Sequence, residues 1–134
     1  MVRTVLIVED SPNWSSTLEI ALERIPNTEV AHAVSGSDAL RFLEGPNGAK
    51  VRLVVTDLQM PVMDGFELIE RVRAVPAWTA LPIVVVSGIA DSASKDRLAR
   101  LGANAFFPKP YSPSEVRTKI EELMSETGLG EADG

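Results

Sequence analysis

Short β-branched and apolar runs alternate along this chain with longer segments whose apolar residues recur every three or four positions. Thr4 to Val8, Arg52 to Thr56 and Pro82 to Val86 are apolar enough to be strands covered on both faces of a parallel sheet. Glu29 to Ala33 is shorter and more polar, which suits a sheet edge, and Ala103 to Phe107 makes a fifth strand. Between them the period changes to that of a helix. Trp14, Leu18, Ala21, Leu22 and Ile25 follow Ser11-Pro12, where proline suits a first helical turn, and Pro26-Asn27 stops the run. Ser35-Gly36-Ser37-Asp38 opens a second helix bearing Leu40 and Leu43, closed by Gly45 to Gly48.

Asp64 and Glu67 have the spacing of a capping box, with Asp in place of Ser or Thr, ahead of Leu68, Ile69 and Val72. Pro76 to Leu81 reads as a loop. The helix predicted over Ser92 to Leu101 is thinly apolar, with little beyond Leu98 and Leu101, and Gly102 closes it. Val116, Ile120, Leu123 and Met124 define a last helix, and the small, acidic residues after Thr127 are expected to fray. Strand and helix alternating five times predict an α/β fold: a doubly wound parallel sheet with helices on both faces. No internal repeat or linker divides the 134 residues, so one domain is expected.

Composition narrows the chemistry. The absence of cysteine excludes disulfides, thiolate catalysis and zinc ribbons. Thirteen Lys and Arg against nineteen Asp and Glu, with no basic stripe, argue against direct nucleic-acid binding. No apolar segment reaches the roughly 18 residues of a membrane span, and Met1 to Thr4 runs into a strand without a signal-peptide pattern. The expectation is a soluble cytoplasmic protein that engages no membrane.

Four predicted strands end in a chemically capable group: Glu9-Asp10, Asp57, Ser87 and Lys109. A parallel sheet brings all those ends to one rim, where open α/β sheets place their chemistry. Three carboxylates together repel unless a cation or proton intervenes. Oxygen-only ligands at an open site suit Mg²⁺, and Lys109 can offset further charge or attract an anion. Plainer roles stay open: Asp57 and Glu9-Asp10 as caps, Ser87 as a loop cap, Lys109 as a surface lysine. Their recurrence at matching strand ends weighs against those roles. Asp64 reads as a structural cap, His32 as a surface histidine, and Trp14 and Trp78 as packing residues.

Glu9-Asp10, Asp57-Leu58-Gln59-Met60-Pro61 with Met63-Asp64-Gly65, Ser87-Gly88 and Lys109-Pro110 together resemble the receiver domain of two-component response regulators. The resemblance spans about residues 3 to 126, with a domain over 1–127 and a short tail over 128–134. It implies a flavodoxin-like fold with five helices and strand order 2-1-3-4-5. It implies that Asp57 accepts a phosphoryl group from a histidine kinase or histidine phosphotransfer protein. Mg²⁺ would be held by Asp10 and Asp57, by Glu9 through water and by the Gln59 carbonyl, while Lys109 and Ser87 contact phosphoryl oxygens. It further implies a cis Lys109-Pro110 bond, a switch through Ser87 and Phe106, and a downstream protein target. Phosphorylation-dependent homodimerisation is left open.

Three departures stand out: Glu9 where the family often has Asp, Phe106 where it often has Tyr, and Pro108 beside Lys109. Two other classes of function compete with the switch. One is a phosphorylation-silent receiver acting as a constitutive interaction module, which the intact acidic set and Lys109 disfavour. The other is a phosphatase with an aspartate nucleophile. Such enzymes carry a second acid two residues later, where this chain has Gln59.

Overall fold

The computed structural model describes residues 2–11, 15–89 and 91–127. Its strands are β1 (Arg3–Val8), β2 (Thr28–Ala33), β3 (Val51–Asp57), β4 (Ile83–Ser87) and β5 (Ala105–Pro108). They alternate with helices α1 (Ser15–Glu23), α2 (Gly36–Glu44), α3 (Gly65–Arg73), α4 (Ser92–Leu101) and α5 (Pro113–Thr127). All strand pairs are parallel, in the order β2-β1-β3-β4-β5, as the sequence resemblance implied. The predicted helix start at Pro12, the indole of Trp14 and the tail over 128–134 lie outside the described residues.

Successive strand side chains point to opposite faces, and here both faces are covered. Val5, Ile7, Leu53, Val55, Val84 and Val86 pack with Leu18 and Leu22 of α1 and Val116, Ile120 and Met124 of α5. The alternate set, with Leu6, Val8, Val54, Ile83 and Val85, packs with α2, α3 and Leu98 of α4. Two-sided burial is why β1, β3 and β4 read as continuous apolar runs. The more polar β2 is an edge strand, as its composition suggested.

Local signals set the boundaries. Ser35 caps α2 by accepting from the Asp38 N–H, and Asp64 caps α3 by accepting from the Glu67 N–H at 2.9 Å. Gly102 ends α4 at φ 98°, a left-handed conformation that glycine adopts without strain. The Ala103 N–H turns back to the Leu98 carbonyl, while the Asn104 side chain accepts from the Ile83 N–H. Helix capping thus claims Ala103, and β5 begins at Ala105 rather than at Ala103 as the sequence suggested. The segment read as a plain loop from Pro76 contains a 3₁₀ turn over Pro76–Trp78.

Candidate functional site

Asp57 ends the central strand β3 and is 7% exposed. A buried carboxylate needs donors, and the chain provides them from two directions. Its Oδ1 accepts from the backbone N–H groups of Leu58 (2.6 Å) and Gln59 (3.2 Å). Its Oδ2 accepts from the Lys109 ammonium at 2.7 Å. The Leu58–Gly65 turn is tight: the Gly65 N–H donates to the Leu58 carbonyl at 2.9 Å. A Cβ on Gly65 would stand 2.4 Å from the Asp57 carbonyl oxygen, so only glycine fits there.

Lys109 follows β5 and forms a cis peptide with Pro110, as the resemblance implied. Its N–H donates to the Ser87 carbonyl at 2.8 Å, which fastens the lysine's backbone to the end of β4. Ser87 itself is fully buried. Its Oγ accepts from the Ile89 N–H at 3.0 Å, leaving the hydroxyl proton as a donor.

Glu9 comes immediately after β1, whose last residue Val8 is in register with Thr56. It therefore lies alongside Asp57 at the rim. Glu9 is 5% exposed, and among the described residues neither of its carboxylate oxygens has a hydrogen-bond partner. Asp10 and Gln59 are exposed beside it. The sequence pattern gave no sign of Tyr111, whose phenol is pushed above its usual range, first by burial and then by the negative charge of Glu9. A lone aromatic in a loop carries no spacing signal, so it was missed. Phe106 is half-buried under α4, with the Lys95 ammonium 5.7 Å from its ring centre.

The remaining singled-out residues have structural partners. Asp64 is the α3 cap described above. His32 is exposed and meets Glu19 at 2.9 Å. Trp78 sits half-buried in the 3₁₀ turn.

Residues 5–121 match the model of the response regulator receiver domain. The chain belongs to that family. A chemotaxis protein CheY homolog from Campylobacter jejuni is 30% identical over 127 residues, which is 95% of each chain. The crystal structure of a CheY-like receiver domain protein from Methanospirillum hungatei superposes over all of both chains with a TM-score of 0.84 at 25% identity. Chemotaxis protein CheY4 of Vibrio cholerae aligns over 92% of this chain and 99% of its own, with a TM-score of 0.81 and 25% identity. This receiver is thus a domain of two-component signalling. Among its described residues no helix is long and apolar enough to cross a membrane.

Whether the rim suits a divalent cation can be judged from the donors themselves. No three acidic or imidazole side chains among the described residues converge as they stand on one point. Mg²⁺, however, takes one or two carboxylates and keeps several waters. Both carboxylate oxygens of Glu9 are buried without a hydrogen-bond partner among the described residues, an arrangement that a nearby cation relieves. The donor set fits the ion.

Proposed function

We propose that this receiver is a phosphorylation-dependent switch in which Asp57 takes a phosphoryl group from a phosphohistidine on a kinase or phosphotransfer protein. The observation that carries the reading is the 2.7 Å contact between Lys109 and a buried Asp57 at the end of the central strand. An Asp57 carboxylate oxygen bonds to phosphorus as the phosphorus–nitrogen bond breaks, and the histidine nitrogen departs with the electron pair. The Leu58 and Gln59 N–H groups and the Lys109 ammonium fix the carboxylate for in-line attack, and Lys109 offsets charge on the transferring group. Glu9, Asp10, Asp57 and the Gln59 carbonyl are the groups that would hold Mg²⁺. When bound, the ion neutralises phosphoryl charge.

The buried Ser87 proton is the donor on hand for a phosphoryl oxygen. Engaging it pulls the hydroxyl away from Ile89 and moves the loop that precedes α4, leaving room for Phe106 to turn inward. A charged hydrogen bond contributes about 1.5–3 kcal/mol, whereas inverting a 1:99 mixture takes about 5.5 kcal/mol. One such bond shifts the population part of the way, and a downstream protein that prefers the switched surface completes the shift. Similarity to proteins named for chemotaxis and the chain's acidic balance support a protein target in the cytoplasm rather than DNA.

Mass spectrometry after incubation with Mg²⁺ and acetyl phosphate tests the reading. One added phosphoryl group is expected on the wild type and none on Asp57→Asn. An unlabelled wild type would instead favour a phosphorylation-silent interaction module.

A further inference from the structure

At the end of the sheet opposite Asp57 lies a cavity of about 460 Å³, within the size range of small-molecule sites. It opens between the turn before β3 and the 3₁₀ turn before β4. Leu43, Val51, Trp78, Leu81 and Pro82 give it apolar walls, and Arg52 is the sole charged residue among those lining it. Arg52 is half-buried, and its guanidinium has no hydrogen-bond or ion-pair partner among the described residues. A planar cation and an indole lining one aliphatic-walled cavity suit a flat apolar ligand with one carboxylate, which a guanidinium can grip through two parallel N–H groups.

Two further observations support a formed site rather than a surface dent. The Arg73 guanidinium donates to the carbonyls of Trp78 (3.0 Å) and Leu81 (2.7 Å) and, from its other end, to that of Gly102 (2.7 Å). That clamp holds the Trp78 wall in place before any ligand arrives, so binding orders little. The acids at the rim do not oppose an anion here. The seven residues of β3 separate the two ends by roughly 20 Å, about two and a half times the screening length in physiological salt.

We propose that this cavity binds a small aromatic monocarboxylate, with Arg52 as the anion contact and Trp78 as the stacking face. The site is independent of phosphorylation at Asp57. Titrating the ¹⁵N-labelled chain with 2-naphthoate, and separately with the neutral 2-naphthamide, tests it by NMR. Saturable shifts at residues around Val51 and Trp78 are expected, with the carboxylate binding at least about tenfold tighter than the amide. Arg52→Gln should bring the two affinities together. Ala80→Glu, at an exposed position on the cavity wall, should weaken the carboxylate selectively without touching the core. Equal affinities in the wild type, absence of saturation, shifts confined to the Asp57 rim, or shifts that track protein concentration through self-association would each overturn the proposal.

Discussion

The Lys109 ammonium reaches Asp57 Oδ2 at 2.7 Å across 52 residues of sequence. The pair joins β3 to the segment after β5, two strands away in the sheet. It is partly open to water, Lys109 at 27% and Asp57 at 9% side-chain exposure, so it contributes less than a sealed ion pair. Lys109→Met is expected to lower stability by about 1–2 kcal/mol, because Asp57 then keeps only two backbone donors. It should also slow phosphoryl uptake at least about tenfold, as the ammonium no longer offsets charge on the transferring group. Urea denaturation and timed phosphoryl incorporation measure the two effects. Unchanged uptake would show that Lys109 is only a structural partner.

Tyr111 makes an alkaline prediction. Its phenol titrates above the ordinary value of about 10 in the folded chain, because burial and Glu9 disfavour the phenolate. Above pH 10 the unfolded chain therefore holds fewer protons at this group than the folded one. Stability from Tyr111 is complete below about pH 10 and is lost as pH rises toward the folded value. Tyr111→Phe should flatten that part of the stability profile. Because the chain has a single tyrosine, tyrosinate absorbance follows the group directly. Glu9→Gln should move the titration downward.

Gly65→Ala should cost about 2–4 kcal/mol in chemical denaturation, since the new methyl group meets rigid backbone rather than a flexible side chain. The clash falls on the Asp57 carbonyl and Leu58 Cα, so phosphoryl uptake should fall together with stability. A variant of wild-type stability would mean that this turn has slack.

The attachment of α4 can be loosened selectively. Leu98 is its only fully buried apolar side chain, and Arg97 lies over the Phe66 ring with 4.1 Å from guanidinium carbon to ring centre. Arg97→Ala removes a contact of about 0.5–1 kcal/mol. Amide exchange in α4 should quicken about two- to fivefold while α5 stays unchanged. Equal acceleration in both helices would indicate global destabilisation instead.

Much of this architecture is legible in the residues because the signals are local. Apolar runs between turn residues mark β1, β3 and β4, and the Asp64–Glu67 spacing marks the start of α3. The positions of Glu9, Asp57, Ser87 and Lys109 at strand ends follow once the sheet is parallel. What escaped depends on distant neighbours. Arg73 looks like any basic residue late in a helix, yet it binds carbonyls from two later segments. Tyr111 owes its raised phenol first to burial in the folded chain and then to Glu9, more than a hundred positions earlier. Val62 holds a φ of 70°, which a β-branched residue rarely adopts, and nothing in its own identity announces that.

The strand order also sets how the acceptor and its counter-charge come together. Pairing of β1 with β3 is enough to bring Glu9 beside Asp57. Lys109 meets them from two strands away, beyond β4 and at the end of β5. The acceptor and its counter-charge therefore form a unit only in the complete five-stranded sheet, so a lesion in β4 or β5 can part them without altering either residue.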